Sequence, residues 1–456
     1  MADGTKKLSK ILESATINGY HYNLLGLFGL ERALNGMEVM IISFVLPILT
    51  KTWNMSGFQT GLIGSAGIIG MMIGNFFWGN ISDRWGRKDT FIYCVLNYSI
   101  FGGLTAFAFS FSSGFILRFL TGLGLGGALI VGTSLVTESL PNEARGRFIV
   151  YLDGFWPIGN ILAALSSFFI LSYFSFQGSI ALPYLGAIDN WRFLFLLSFL
   201  PILIIFPIKS RVRKSPYHLL ENGKLEESKE KIKKIFSTKD IQGQLSEINV
   251  DEGSSTGFKK LFSEDYRLRS IFLGVIWFTL NFGYYGFFIW LPDTLTAVKL
   301  FDNVYLYLIL IALVQVPGYL FAAYLIDKLG RKKSLSSFML LAGLLILIFS
   351  LKLDNITQSN LLYLKLILTA ASFFAVGSWG IIYAYTSELF PTKIRSMGLG
   401  YASGIGKIAG VLGPIIAGLL VSKSYKAATL PLGLSFLIGG TVVILFGKET
   451  RKKLLS

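Results

Sequence analysis

Cysteine and histidine are nearly absent from the chain, which has one cysteine, Cys94, and two histidines, His21 and His218. A lone thiol excludes an internal disulfide. Two histidines, both read as lying outside the apolar runs, leave no material for a histidine metal centre or a histidine proton relay. Charge is scarce as well: 15% of 456 residues are charged, against 53% hydrophobic and 15% aromatic, and the mean hydropathy is +0.60. That balance is too apolar for a soluble chain. No Walker loop occurs, so the chain is not itself an ATPase. A G-x-G-x-x-G match, GLGLGG at 122–127, sits inside an apolar run with no preceding strand and reads as small-residue helix packing, not a dinucleotide fingerprint. No nucleophile, metal cluster or acid/base dyad stands out, so an enzyme is not expected.

What the sequence does have is long apolar runs. A membrane-crossing helix needs about 20 mostly apolar residues, and twelve such runs occur, at 24–50, 57–80, 89–109, 112–137, 148–173, 191–208, 269–292, 303–326, 334–351, 360–386, 396–421 and 427–446. Their length, without the alternation of barrel strands, predicts helices. The net charge of +16 would suggest nucleic acid in a soluble protein, but its placement says otherwise. Lys and Arg crowd the N-terminal segment, the even-to-odd loops and the C-terminal tail, while the alternate loops hold only Lys51, Lys299, Lys352, Lys423 and Lys426. This asymmetry predicts both termini on the cytoplasmic side. The first run is too long for a cleavable signal, and KKLSKILES ahead of it reads as a cytoplasmic leader.

Two cytoplasmic motifs recur. DRWGRK, from Asp83 to Lys88, returns as DKLGRK, from Asp327 to Lys332; ESLPNEAR, from Glu138 to Arg145, returns as ELFPTKIR, from Glu388 to Arg395. The chain therefore reads as two six-span halves, 1–208 and 267–456, joined by a basic cytoplasmic linker at 209–266 whose Lys- and Glu-rich part forms short amphipathic helices. The pattern Gly79, Asp83, Arg84, Gly86, Arg87, Lys88, with its second copy around Asp327, Gly330 and Arg331, resembles the signature loop of the major facilitator superfamily. The Glu-x-x-Pro-x-x-x-Arg loops, NWRFLF, SPYHLLENGKLEES and FGKET resemble its sugar-porter and metabolite-symporter branches, and GFWPIG and WGIIYAYTSELFPT are closer to nicotinate, aromatic-acid, organic-ion and synaptic-vesicle-glycoprotein relatives. The resemblance implies an all-α membrane protein of twelve transmembrane helices in two pseudo-symmetric halves, resident in the plasma membrane and functional as a monomer. Physically, Asp83, Glu138, Arg84 and Arg145 can form interhelical ion pairs at the cytoplasmic ends, which must break if the halves part there. The resemblance gives such pairs, with Glu388 and Arg395 in the second copy, the role of a cytoplasmic gate.

Within the first run Glu31, Asn35 and Glu38 share one helical face, which must point into the protein and not at lipid. Arg118 stands alone in the fourth run, about six residues or roughly 9 Å from its outer end, against about twelve residues or roughly 18 Å for Glu38. A long Arg and Glu largely close that difference. By resemblance Glu38 stands where proton-coupled sugar porters keep an Asp, and Arg118 where they keep an Arg, which implies that a proton and Arg118 compete for Glu38. The alternative is a static pair that only positions two helices.

The solute site of such a carrier lies near the midplane between the halves. Candidate lining residues are Asn35, Asp153, Trp156, Asn281, Tyr284, Tyr285, Trp379, Tyr383, Tyr385 and Lys407. A lysine eleven residues into a membrane helix needs a partner, a cavity or a route for its head to reach water. By resemblance its place, seven residues before Pro414, is where carriers of aromatic acids and organic anions keep a base. The alternative is pairing with Asp153, Glu38 or a helix C-terminus. The Gln-rich cluster of sugar porters is missing from WFTLNFGYYG, and the Gly-x-x-x-Gly-Pro pattern of drug exporters is missing from the fifth run. The expectation is a proton-coupled importer of a small carboxylate, with the proton as coupling ion and no other cofactor. A sugar symporter or uniporter, or a non-transporting sensor, is the alternative, the sensor being disfavoured by a tail of about ten residues.

Overall fold

The structure is a computed structural model and describes residues 16–173, 179–182, 186–221, 223–236, 258–298, 303–390 and 394–451. Twelve helices in it are long and apolar enough to cross a membrane: spans 1 to 12 are Gly19–Thr52, Gly57–Trp85, Arg87–Phe107, Phe111–Glu138, Ala144–Tyr173, Asn190–Arg211, Arg267–Ala297, Val304–Leu329, Arg331–Asn355, Ser359–Leu389, Met397–Val421 and Tyr425–Phe446. Each satisfies its backbone groups internally, as hydrocarbon surroundings demand. Where spans start, side-chain caps take up the leftover N–H groups: Ser56 and Gln59 close a capping box before span 2, Asn303 caps span 8 and Ser424 caps span 12. Span 1 begins earlier than its hydropathy suggests. Asn18 caps it, and His21, expected outside the span, is the third residue of the box, fully buried with Nδ1 accepting from the Asn18 N–H.

The twin signature loops have a backbone reason for their glycine. Gly86 and Gly330 sit between spans 2 and 3 and between spans 8 and 9 with φ of 93° and 88°, a region that side chains with a Cβ rarely adopt. Spans 2 and 4 pack glycine on glycine: a Cβ added at Gly70 would lie 2.8 Å from the Cα of Gly122, so the GLGLGG stretch is a packing surface as expected.

Span 5 breaks at Gly154 and Phe155, between the helical pieces Asn142–Asp153 and Trp156–Ser167, with Pro157 opening the second piece, and it ends in a π-helical turn, Phe168–Tyr173. Beyond it a short antiparallel hairpin, Ser179–Leu182 with Gly186–Asp189, interrupts the otherwise helical fold; no sequence signal anticipated it. Between spans 6 and 7 lie two short helices, Pro216–Glu221 and Leu225–Phe236, where amphipathic helices were expected, while 237–257 falls outside the described residues. Across the middle of the molecule span 1 packs on span 7, span 2 on span 11 and span 5 on span 8.

Candidate functional site

Glu38 and Arg118 meet. Both are 1% exposed, and the carboxylate oxygen Oε1 of Glu38 accepts from Nη1 of Arg118 in a direct ion pair. Arg118 Nη2 also donates to the Glu38 main-chain carbonyl at 2.9 Å, which ties the guanidinium to span 1 itself. The second carboxylate oxygen accepts from Ser198 Oγ in span 6, a residue that sequence reasoning missed. Phe195, one turn before Ser198, places its ring centre 5.6 Å from the guanidinium carbon, a cation–π contact. Arg118 Nε is buried without a partner, so the pair does not fully satisfy its own cation.

A second constellation lies at the interface of the halves. Trp277, Tyr284 and Tyr285 of span 7 meet Trp379 and Tyr383 of span 10 edge to face, with ring centroids 5.0–6.1 Å apart. Trp277, another residue absent from the sequence list, is anchored by its indole N–H donating to Thr386 Oγ1 at 2.9 Å. Lys407 of span 11 sits with Nζ 5.8 Å from the centre of the Tyr285 ring. It is half-buried, as are Trp379, Tyr383, Asp153 and Trp156. Among the described residues Lys407 makes no ion pair and no hydrogen bond. Asp153, proposed as its partner, instead faces Arg32 of span 1, with Oδ1 3.8 Å from Nε. The charge that bears on Lys407 is that same Arg32, a like charge. Two cations and one carboxylate thus lie around these rings.

Toward the ends of the spans away from the basic loops, Asn160 of span 5 donates to Gln315 Oε1 of span 8 at 2.6 Å and to Tyr284 OH at 3.4 Å, and Gln315 donates on to Ser372 of span 10 at 3.1 Å. This polar bridge joins the two halves, and the sequence did not single out its carboxamides. Asn160, Tyr284 and Gln315 of this bridge also line a small cleft with Met40, Ser43 and Phe44 of span 1 and with Phe288, Leu291 and Ile311. Two polar atoms stay unpartnered along this stretch, the Trp379 indole N–H and the Asn160 carboxamide oxygen. Asn35 and Asn281, expected to line the site, are fully buried and engaged inside their own halves, Asn35 with Leu125 O and Asn281 with Trp277 O. Tyr385 donates to the Lys448 carbonyl at 2.7 Å, past the end of span 12.

The halves touch at one end of spans 2 and 11. A Cβ at Gly61 would stand 2.9 Å from Ile415 Cα, and Ser65 Oγ donates to Val411 O at 3.0 Å. Toward the basic loops, by contrast, Gly79 of span 2 and Gly400 and Gly404 of span 11 face open space.

The signature-loop pairs differ from expectation. The cation is Arg87, which pairs with Asp83 and with Glu138 at 3.1 Å, and its counterpart Arg331 pairs with Glu388 at 2.7 Å and Asp327 at 4.0 Å. Arg84 makes no ion pair among the described residues, Arg145 donates Nε to the Leu140 carbonyl, and the side chain of Arg395 lies outside the described residues. Both pairs join spans of one half, because Arg87 and Arg331 each open the helix that lies beside the end of the Glu-bearing span. Among the described residues no ion pair joins them to the other half. Ser215 Oγ on the linker and Thr450 Oγ1 after span 12 complete the symmetry by donating to Glu138 and Glu388. Glu449 then caps span 9, accepting from the N–H groups of Arg331 at 2.8 Å and Lys332 at 3.2 Å. Partial burial would push its carboxyl up, but main-chain donors from Arg451, Arg331, Lys332 and Thr450 outweigh that and hold it below the usual carboxylate range.

The family model described as sugar (and other) transporter matches residues 14–455. The niacin transporter NiaP of Acinetobacter baylyi is 32% identical over 98% of each chain, and the synaptic vesicle 2-related protein of Bos taurus is 29% identical over 92% of this chain and 77% of its own. Among solved structures, the partially occluded inward-open conformation of the xylose transporter XylE from E. coli superposes with a TM-score of 0.78, covering 96% of this chain and 100% of that one at 20% identity.

Proposed function

The chain belongs to the sugar (and other) transporter family of multi-pass membrane carriers, and from that premise we propose that it imports a small aromatic carboxylate of the nicotinate type together with a proton, by alternating access. The observation that carries the solute class is Lys407: a half-buried cation over an aromatic face, with a second cation nearby and no carboxylate of its own. A solute carboxylate supplies the missing partner, the rings of Trp379, Tyr383 and Tyr285 stack on its aromatic body, and the unpartnered Trp379 N–H and Asn160 oxygen offer one donor and one acceptor. The name of the NiaP relative agrees with this class.

Coupling follows from the other constellation. Burying Glu38 and Arg118 is tolerable only while each compensates the other. A proton on Glu38 releases Arg118, and proton departure restores the pair, so the halves move between states at matched charge. One carboxylate crossing with one proton is neutral in sum, so a pH gradient drives it by about 1.4 kcal/mol per unit. The asymmetry of basic loops supports cytoplasmic termini, and the packed end at Gly61 together with the open end at Gly79, Gly400 and Gly404 supports a state open toward those loops; a plasma-membrane setting and a working monomer belong to the same reading. The linked carboxamides of Asn160 and Gln315 favour a second reading, a sugar whose hydroxyls would replace their mutual bond.

Thermal unfolding of the detergent-purified protein separates the two. A ligand at 100 times its Kd that binds only the folded state adds about 2.7 kcal/mol. Stabilisation by nicotinate or benzoate that vanishes in Lys407→Ala is expected; stabilisation by pentoses or hexoses alone overturns the carboxylate reading.

A further inference from the structure

Among its described residues the N-terminal half holds one fully buried carboxylate that the coupling pair does not use. Glu31 lies on the same face of span 1 as Glu38, seven residues or about 10 Å along the axis toward the basic loops, and is 2% exposed. Among the described residues no cation comes within ion-pair distance of it, for Arg32, its chain neighbour, turns to Thr133 at 2.7 Å and to Asp153. Glu31 has instead two long hydrogen bonds on one oxygen, from Tyr98 OH at 3.3 Å and from Asn35 Nδ2 at 3.4 Å. An ionised carboxylate without a counter-ion is costly to bury, and inside a membrane such a group marks a place where a proton can reside.

The surroundings connect it to the coupling pair. Arg32 and Asn35 face Glu31 from its own helix, and Tyr98 and Cys94 face it from span 3, while the Leu125 carbonyl of span 4 is taken by Asn35 and Thr133 of span 4 by Arg32. Tyr98, fully buried, stands where the charges of both Glu31 and Glu38 reach its hydroxyl. Gly102, one turn further along span 3, leaves room for the Glu38 carboxyl: a Cβ there would meet Oε1 at 2.9 Å. The three groups thus form a file along the seam of spans 1 and 3, on the side of Glu38 that leads to the basic face.

We propose that Glu31 is a second proton-binding carboxylate and that the Tyr98 hydroxyl passes to it the proton that Glu38 gives up, which provides the coupled proton with an exit toward the basic face; this rests on the proton-coupled reading above. In the step, the neutral Glu38 carboxyl gives its proton to the Tyr98 oxygen while the Tyr98 O–H proton moves to the Glu31 carboxylate. Tyr98 ends as it began, one proton has moved, and no electron has. The return of Arg118 to Glu38 drives the transfer, and the paired state seen here is the state after release. Glu31 and Tyr98 are neither solute ligands nor part of the ion pair.

Two measurements on the full chain test this. Infrared difference spectra between acid and neutral pH, on nanodisc samples of Glu38→Gln, should show a protonated carboxyl band that is lost in Glu38→Gln/Glu31→Gln; the same band in both proteins overturns the assignment of a proton to Glu31. In proteoliposomes with an internal pH dye and nicotinate as solute, Tyr98→Phe, which keeps the ring and its packing, should lose solute-driven proton release yet keep solute counterflow, which needs no release. Wild-type proton release in Tyr98→Phe overturns the relay alone. Absence of solute-driven proton movement in the wild type overturns the coupling reading and the relay together, and the wild-type trace tells these failures apart.

Discussion

Valine at Gly61 should hold the carrier open on the face away from its basic loops. The Cβ alone would stand 2.9 Å from Ile415 Cα and press on the Pro414 carbonyl, closer than real side chains come, and the neighbouring contact of Gly57 with Gly418 leaves no slack for span 11 to retreat along span 2. Both obstacles are backbone, so a rotamer change cannot relieve them. Overpacking of this kind costs about 1–3 kcal/mol, and because it acts only when these ends are packed together, it shifts the equilibrium between the two access states by roughly 5- to 150-fold. The assay is labelling of Ser403→Cys, on span 11 near the open Gly404, by an impermeant maleimide from the basic face; Cys94 is fully buried and adds little background. Labelling should fall by that factor, and solute binding from the opposite face should persist while transport stops. Wild-type labelling with intact transport would refute the reasoning that these glycines form the closure.

Lys407→Gln removes the charge while keeping a polar side chain one atom shorter: loss of a charge-assisted bond of about 1.5–3 kcal/mol should weaken nicotinate binding about 10- to 100-fold, with nicotinamide binding changed far less, as equilibrium binding to the purified protein would show. Ser198→Ala takes one of the donors from Glu38 without touching Arg118, so it should slow proton-driven uptake while sparing counterflow; an identical loss of both would make Ser198 a packing residue only. Glu449→Gln weakens the cap of span 9, at about 0.5–2 kcal/mol, and should lower the melting temperature at neutral pH. Because the folded protein holds that carboxyl below its usual range, the contribution is present above the unfolded value near pH 4 and is lost as pH falls through the folded one, so the gap between wild type and Glu449→Gln should narrow in acid.

Hydropathy and charge placement made the twelve spans legible, because lipid allows so few ways to satisfy a backbone. The recurrence of DRWGRK and DKLGRK was equally visible, yet the pairs expected there did not single out Arg87: DRWGRK holds two arginines, and past the turn at Gly86 it is Arg87, not Arg84, that pairs with Glu138. Glu38 and Arg118 were legible as two lone charges in greasy helices, although counting residues put them about one and a half turns apart in depth. The reach of both side chains closes that gap, and the added bond to the main-chain carbonyl fixes it. Ser198, Asn160, Gln315 and Trp277 escaped because a single polar or aromatic residue in a membrane helix carries no periodic signal; each is defined by what a distant span places opposite it. The His21 cap and the Glu449 cap are similar cases of local chemistry that hydropathy averages away.

The most direct test of the account is uptake of labelled nicotinate into proteoliposomes under an imposed pH gradient, acid outside, in wild type and Glu38→Gln. The account predicts about tenfold accumulation per pH unit in the wild type, none in Glu38→Gln, and counterflow in both. Accumulation that persists in Glu38→Gln, or a wild type indifferent to the gradient, would contradict it.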